Sequence, residues 1–130
     1  PRMMQITTDT LCGMILAVRR RELRVGQKRM ALALVMTQPT LSRYENGQYG
    51  FSVGQLAAAC ELLDMTLEQV WSVYRHVKQA LAVKEIEVVL WREYLCDVDR
   101  MTVHSAVTTA LRACGITVPD PASGKCDETV

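Results

Sequence analysis

Residues 27–47 read QKRMALALVMTQPTLSRYENG, and the fold turns on this stretch. Met30, Ala31 and Leu34 fall at i, i+1 and i+4, which predicts a helix of about two turns opening after Gly26. Thr37 is placed to cap a second helix over residues 38–46. There Pro39 is tolerated, because first-turn amides have no partner inside the helix, and Gly47 supplies a left-handed stop. The reading is two short helices joined by a tight turn.

Upstream, Leu11, Met14, Ile15 and Val18 recur at helical spacing and predict a first helix over residues 10–24, with Thr8, Asp9 or Thr10 available to cap it. Downstream, Ser52 with Gln55 and Thr66 with Gln69 are capping boxes that open a fourth and a fifth helix. Leu56, Ala59, Cys60 and Leu63 line one face of the fourth; Leu67, Val70, Trp71 and Tyr74 line the fifth. Apolar positions at Leu81, Val88, Trp91 and Leu95 favour a further helix, although residues 84–90, KEIEVVL, also suit a strand. Val103, Val107, Ala110 and Leu111 predict a last helix over 102–114, ended by Gly115 and Pro119. The polar tail over 119–130 is expected to be flexible.

Charge is divided along the chain. Through Gly50, Lys and Arg number 8 against 3 acids; after it they number 7 against 11, so the front carries +5 and the rest −4. Such a front favours a polyanionic partner. The five cysteines are odd in number and never spaced as metal ligands, so they are expected to be reduced packing residues of a cytoplasmic protein. Among them Cys126, in the polar tail, stands apart as a possible reactive thiol. No run approaches the ~18 apolar residues of a membrane span, and residues 1–10 lack the apolar block of a signal peptide. His76 and His104 have no carboxylate or cysteine at i±3 or i±4. No catalytic constellation, metal set or cofactor box is expected.

The stretch resembles the helix-turn-helix of the Cro/C1 repressor family, the xenobiotic-response-element type. Gln27 opens the second helix, Met30 and Ala31 fill the family's Leu-Ala slots, and Thr37 caps the recognition helix. Leu41, Ser42, Glu45 and Gly47 fall in register, and Arg20 stands where the family has the arginine of its first helix. The resemblance runs over about residues 11–71. It departs at Val35, where the family has a turn glycine; a β-branched residue resists positive φ, so either the turn keeps a left-handed conformation at a cost or Met36 reshapes it.

The resemblance implies Gln38 and Arg43 as base readers, Gln27, Thr37, Ser42 and Asn46 on the phosphate side, and an internal ion pair between Arg20 and Glu45. The residues alone support a similar reading. Gln38 suits adenine N6 and N7, Arg43 suits guanine O6 and N7, and Pro39 or Thr40 can touch a thymine methyl, while Leu41 and Tyr44 turn inward. Lys28 is a plausible phosphate neighbour.

The expectation is therefore an all-α protein, with a five-helix DNA-binding domain over 1–74, a helical extension over 75–118 and a tail over 119–130. Its expected function is sequence-specific, non-enzymatic regulation of transcription in bacteria, as a homodimer on a two-half-site operator. The dimer contact is assigned to Val73, Val77, Leu81, Val88, Trp91 and Leu95. The rival expectation is an antitoxin-like module whose extension wraps a partner protein.

Overall fold

Six helices and one small sheet make up residues 4–90 and 98–119, the residues described in the computed structural model. In chain order they are β1 (Met4–Thr7), α1 (Thr8–Glu22), α2 (Gln27–Ala33), α3 (Gln38–Glu45), α4 (Val53–Leu62), α5 (Leu67–Val83), β2 (Ile86–Val89) and α6 (Arg100–Ala113).

Short-range chemistry starts the helices. Thr37 accepts the amide of Thr40 at 3.3 Å, and both capping boxes, Ser52 with Gln55 and Thr66 with Gln69, are closed in each direction. α1 begins earlier than its periodicity implies. Its cap is Thr7, the last residue of β1, whose hydroxyl accepts from Thr10 N at 3.1 Å.

One device recurs where the helices stop. A residue at positive φ is followed by one whose amide reaches back five positions: Val25 to the Arg20 carbonyl, Met36 to Ala31, Gln48 to Arg43, Met65 to Cys60 and Ile116 to Leu111. This is the Schellman closure, and it satisfies carbonyls that the helix itself leaves open. Gly47 and Gly115 hold the left-handed position in two of these stops, but Arg24, Val35 and Asp64 hold it in others, and Glu85 does so after α5. Val25, Met65, Ile86 and Ile116, each next in sequence, are buried and anchor the ends.

One expectation for the second half is corrected. The helix favoured over residues 84–90 is a strand: Glu85, at φ 60°, stops α5, and Ile86–Val89 pairs in parallel with Met4–Thr7 in the register Met4 to Ile86 through Thr7 to Val89. Gln5 also donates to the Glu87 carboxylate at 2.9 Å, 82 residues away in sequence. Tyr74, after which the first domain is expected to end, lies within α5, which runs on to Val83.

The extension is part of the core. α6 packs on both α5 and α1. Val73, Val77 and Leu81, three residues assigned to a dimer contact, are fully buried, as are Val103, Val107 and Leu111 of α6. The two apolar stripes are thus covered within one chain, and Val88 is half-buried against the same core. Trp91 and Leu95 lie outside the described residues.

Polar contacts clamp the end of α6 to α1. Arg112 bonds the Glu22 carboxylate and the Ile116 carbonyl. From α1, Arg19 Nε donates to the Leu63 carbonyl at 3.0 Å and Nη1 to the Thr117 carbonyl at 2.9 Å.

Candidate nucleic-acid interface

The second helix of the turn motif, α3, is set by contacts with α1 and α2. Gly13 of α1 lies against its C-terminal end, where a Cβ would come within 2.6 Å of the Tyr44 and Glu45 carbonyl oxygens, so only glycine permits this approach. Leu41 is fully buried beneath the helix. Arg20 and Glu45 form a buried pair, Nε to Oε2 at 2.8 Å and Nη2 to Oε1 at 3.1 Å, while Arg20 Nη1 donates to the Val25 carbonyl at 3.0 Å.

The pair continues outward. Gln27 Nε2 donates to Glu45 Oε1 at 2.8 Å, and Gln38 Nε2 donates to Gln27 Oε1 at 3.3 Å. A line of bonds thus runs from the buried arginine of α1, through the last residue of α3 and the first of α2, to the exposed first residue of α3. Gln27 is half-buried and supports Gln38 as well as standing near the surface.

Around this line the surface is positive. Residues 23–60 contain Arg24, Lys28, Arg29 and Arg43 and a single acid, Glu45, which is buried against Arg20. Gln38, Pro39, Arg43, Asn46 and Lys28 are exposed, and Thr40 and Ser42 are half-buried. The Thr37 hydroxyl is exposed but engaged, donating to Thr40 Oγ1 at 2.8 Å. The arginine run of α1 is divided by the core: Arg19 and Arg20 are buried, while Arg21 and Arg24 are exposed. Burial pulls the Arg19 guanidinium below its ordinary range, with Glu22 opposing that shift.

Val35 keeps the left-handed turn, at φ 56° and 92% exposed, closed by the Met36 amide on the Ala31 carbonyl. Keeping the side chain in water avoids a clash, and the backbone strain is borne locally.

Residues 13–70, slightly under half of the chain, match the family model described as a helix-turn-helix domain. This segment is a helix-turn-helix domain. No curated protein and no solved structure matches the chain. The helix-turn-helix domain takes in α2, α3 and α4 whole, most of α1 and the start of α5. β1, β2 and α6 lie outside it.

Sequence reasoning missed an aromatic group at the end of α3. Tyr44 of α3 clusters with Tyr49 and Phe51, which follow the helix, with ring centroids 5.4 Å apart for Tyr44 and Tyr49 and 5.0 Å for Tyr44 and Phe51. Three of the chain's seven aromatic residues within eight positions was the available signal. Away from the interface, His76 Nδ1 lies 2.8 Å from the Ser72 carbonyl and 3.6 Å from Cys114 Sγ, a meeting of α5 with the end of α6 that local spacing does not reveal. Burial raises the Cys114 thiol, with Arg75 opposing. Burial, and secondarily Asp9, push Cys12 up to about 11. No helix among the described residues is long and apolar enough to cross a membrane.

Proposed function

We propose that the chain is a sequence-specific regulator of transcription that places α3 in the major groove of double-stranded DNA. The observation that carries this reading is the supported amide of Gln38. A bidentate contact with adenine needs one amide hydrogen and the carbonyl oxygen of Gln38 in a fixed plane. Gln27 takes the other amide hydrogen and is itself held by Glu45. Arg43, exposed one and a half turns further along, suits guanine O6 and N7, and Pro39 and Thr40 offer apolar contact to a thymine methyl. Lys28, Ser42, Asn46 and the Thr37 end of the helix fix the register on phosphates, with Gln27 supporting from behind.

One recognition helix reads few base pairs, so we infer that two copies act on half-sites about 34 Å apart. Val73, Val77 and Leu81 are spent inside the chain, and such a pair would use another surface. The rival reading, an extension that wraps a partner protein, finds no open apolar stripe on α6, whose Val103, Val107 and Leu111 are buried. The site of action in this reading is the bacterial cytoplasm, where DNA is accessible.

Selection of bound fragments from random DNA tests the proposal, followed by titration of the enriched duplex and of single-base variants. Arg43→Ala should weaken the preferred duplex by ~1 to 3 kcal/mol and relax one position. Lys28→Ala should weaken all duplexes alike and lower the salt slope by about 1. Absence of any enriched sequence, or an unchanged base preference in Arg43→Ala, would defeat the reading. Sedimentation with and without the enriched duplex reports the number of copies bound.

A further inference from the structure

We propose that the cavity between α1, the turn from α4 to α5 and the chain after α6 binds a small zwitterion that carries a carboxylate and an ammonium group, with α-amino acids as the class it takes. The cavity shares no residue with the face assigned to DNA. Only the whole chain builds it, since Gly115 and Thr117 on one wall lie outside the helix-turn-helix segment 13–70.

The cavity has a volume of about 440 Å³, within the ~300 to 1,000 Å³ usual for small-molecule sites. Arg19 lines it and is only 2% exposed. Its Nε and Nη1 are held by the Leu63 and Thr117 carbonyls, and Nη2 has no hydrogen-bond partner among the described residues. A guanidinium nitrogen left open on a buried side chain is costly, because it has given up water without a replacement. The charge is also incompletely neutralised. Glu22 stands 3.6 Å from Nη1 but gives its other oxygen to Arg112, so one carboxylate serves two guanidinium groups. A carboxylate presented to Nη2 supplies both the missing acceptor and the missing charge.

Other lining residues have the opposite sign. Glu61, in the last turn of α4, and Asp64, just after it, line the same cavity and are exposed. Asp64 attracts the Arg19 charge. The cavity thus presents a positive and a negative pole to one ligand. Thr66 and Gln69, which close the capping box of α5, also line it, so the positive end of that helix opens there as well. A simple anion would meet Glu61 and Asp64, and a simple cation would meet Arg19. A molecule with both charges satisfies the two poles together.

Thermal melts and calorimetric titration of the full chain with the common L-amino acids, each at millimolar concentration, test the site. At least one should bind and raise the melting temperature, because a ligand that binds only the folded chain stabilises it. Acetate and methylammonium, which carry one charge each, should bind about tenfold or more weakly. Asp64→Asn keeps the exposed left-handed turn, which asparagine also adopts, and should weaken the amino acid about three- to fivefold. Arg19→Lys keeps a charge but removes Nη2, and should weaken it about tenfold. If that variant melts early, Asp64→Asn decides. Absence of binding by every amino acid overturns the proposal. So does equal affinity for acetate, which marks a simple anion site, or an affinity unchanged in Asp64→Asn, which places the ligand elsewhere.

Discussion

Arg20 of α1 and Glu45 of α3 face each other through two hydrogen bonds, with only 7% and 5% of the two residues exposed. Between them they fix where α3 stands on α1. Removing one partner strands a buried charge, which typically costs ~3 to 5 kcal/mol, whereas replacing both with apolar residues of similar size costs far less. Arg20→Met and Glu45→Met should each lower the melting temperature strongly, and the double variant should recover much of the loss. Small, additive losses in thermal melts would show that the pair is not coupled. Glu45→Met should also release Gln27 and with it Gln38, so adenine preference should weaken even where the variant stays folded.

Val35 holds a left-handed turn that glycine adopts without strain. For an L-residue the conformation costs roughly 1 to 2 kcal/mol, and glycine returns part of that gain through its more mobile unfolded chain. With Val35 92% exposed, few contacts are lost on substitution. Val35→Gly should therefore stabilise the protein by about 1 kcal/mol in denaturant titrations and leave DNA affinity unchanged. A loss of stability would mean that the side chain has a role its exposure does not reveal.

Leu111 of α6 is fully buried in the core that α6 shares with α1 and α5. Leu111→Ala should cost ~2 to 5 kcal/mol, measured by chemical unfolding as one transition with the helix-turn-helix domain. Truncation after Tyr74 should leave a chain that does not fold cooperatively, because it removes Val77, Leu81 and the whole cover of α6. A sharp thermal transition in the truncated chain would show that the segment is autonomous.

His104 of α6 is held below its ordinary range, first by burial and then by the charges of Arg21 and Arg100. The folded protein thus binds this proton less readily than the unfolded chain, whose histidine has a pKa of about 6.5. Stability is unaffected well above that value and falls as pH drops through it, since the unfolded state then takes up the proton first. Between pH 7.5 and pH 5.5 the wild type should lose stability that His104→Gln retains. Equal pH dependence in the two proteins would place the sensitivity elsewhere.

The residues that start and stop helices act over three to five positions, and for that reason the helix-turn-helix was legible in residues 27–47 and the capping boxes at Ser52 and Thr66 could be named. Gly47 marked the end of α3 in the same way. The stops at Arg24, Asp64 and Glu85 carried no such mark, because the left-handed position is imposed there by the packing of Val25, Met65 and Ile86 and not by the preference of the residue that occupies it. The strand Ile86–Val89 depends on Met4–Thr7, and a hydrogen-bonding partner 82 residues away leaves no local periodicity to read. The stripe Val73, Val77 and Leu81 announced that something must cover it. A sequence states that apolar surface needs burial, but the hydrophobic effect has no direction, and only the closure of the chain decided that the cover is α6.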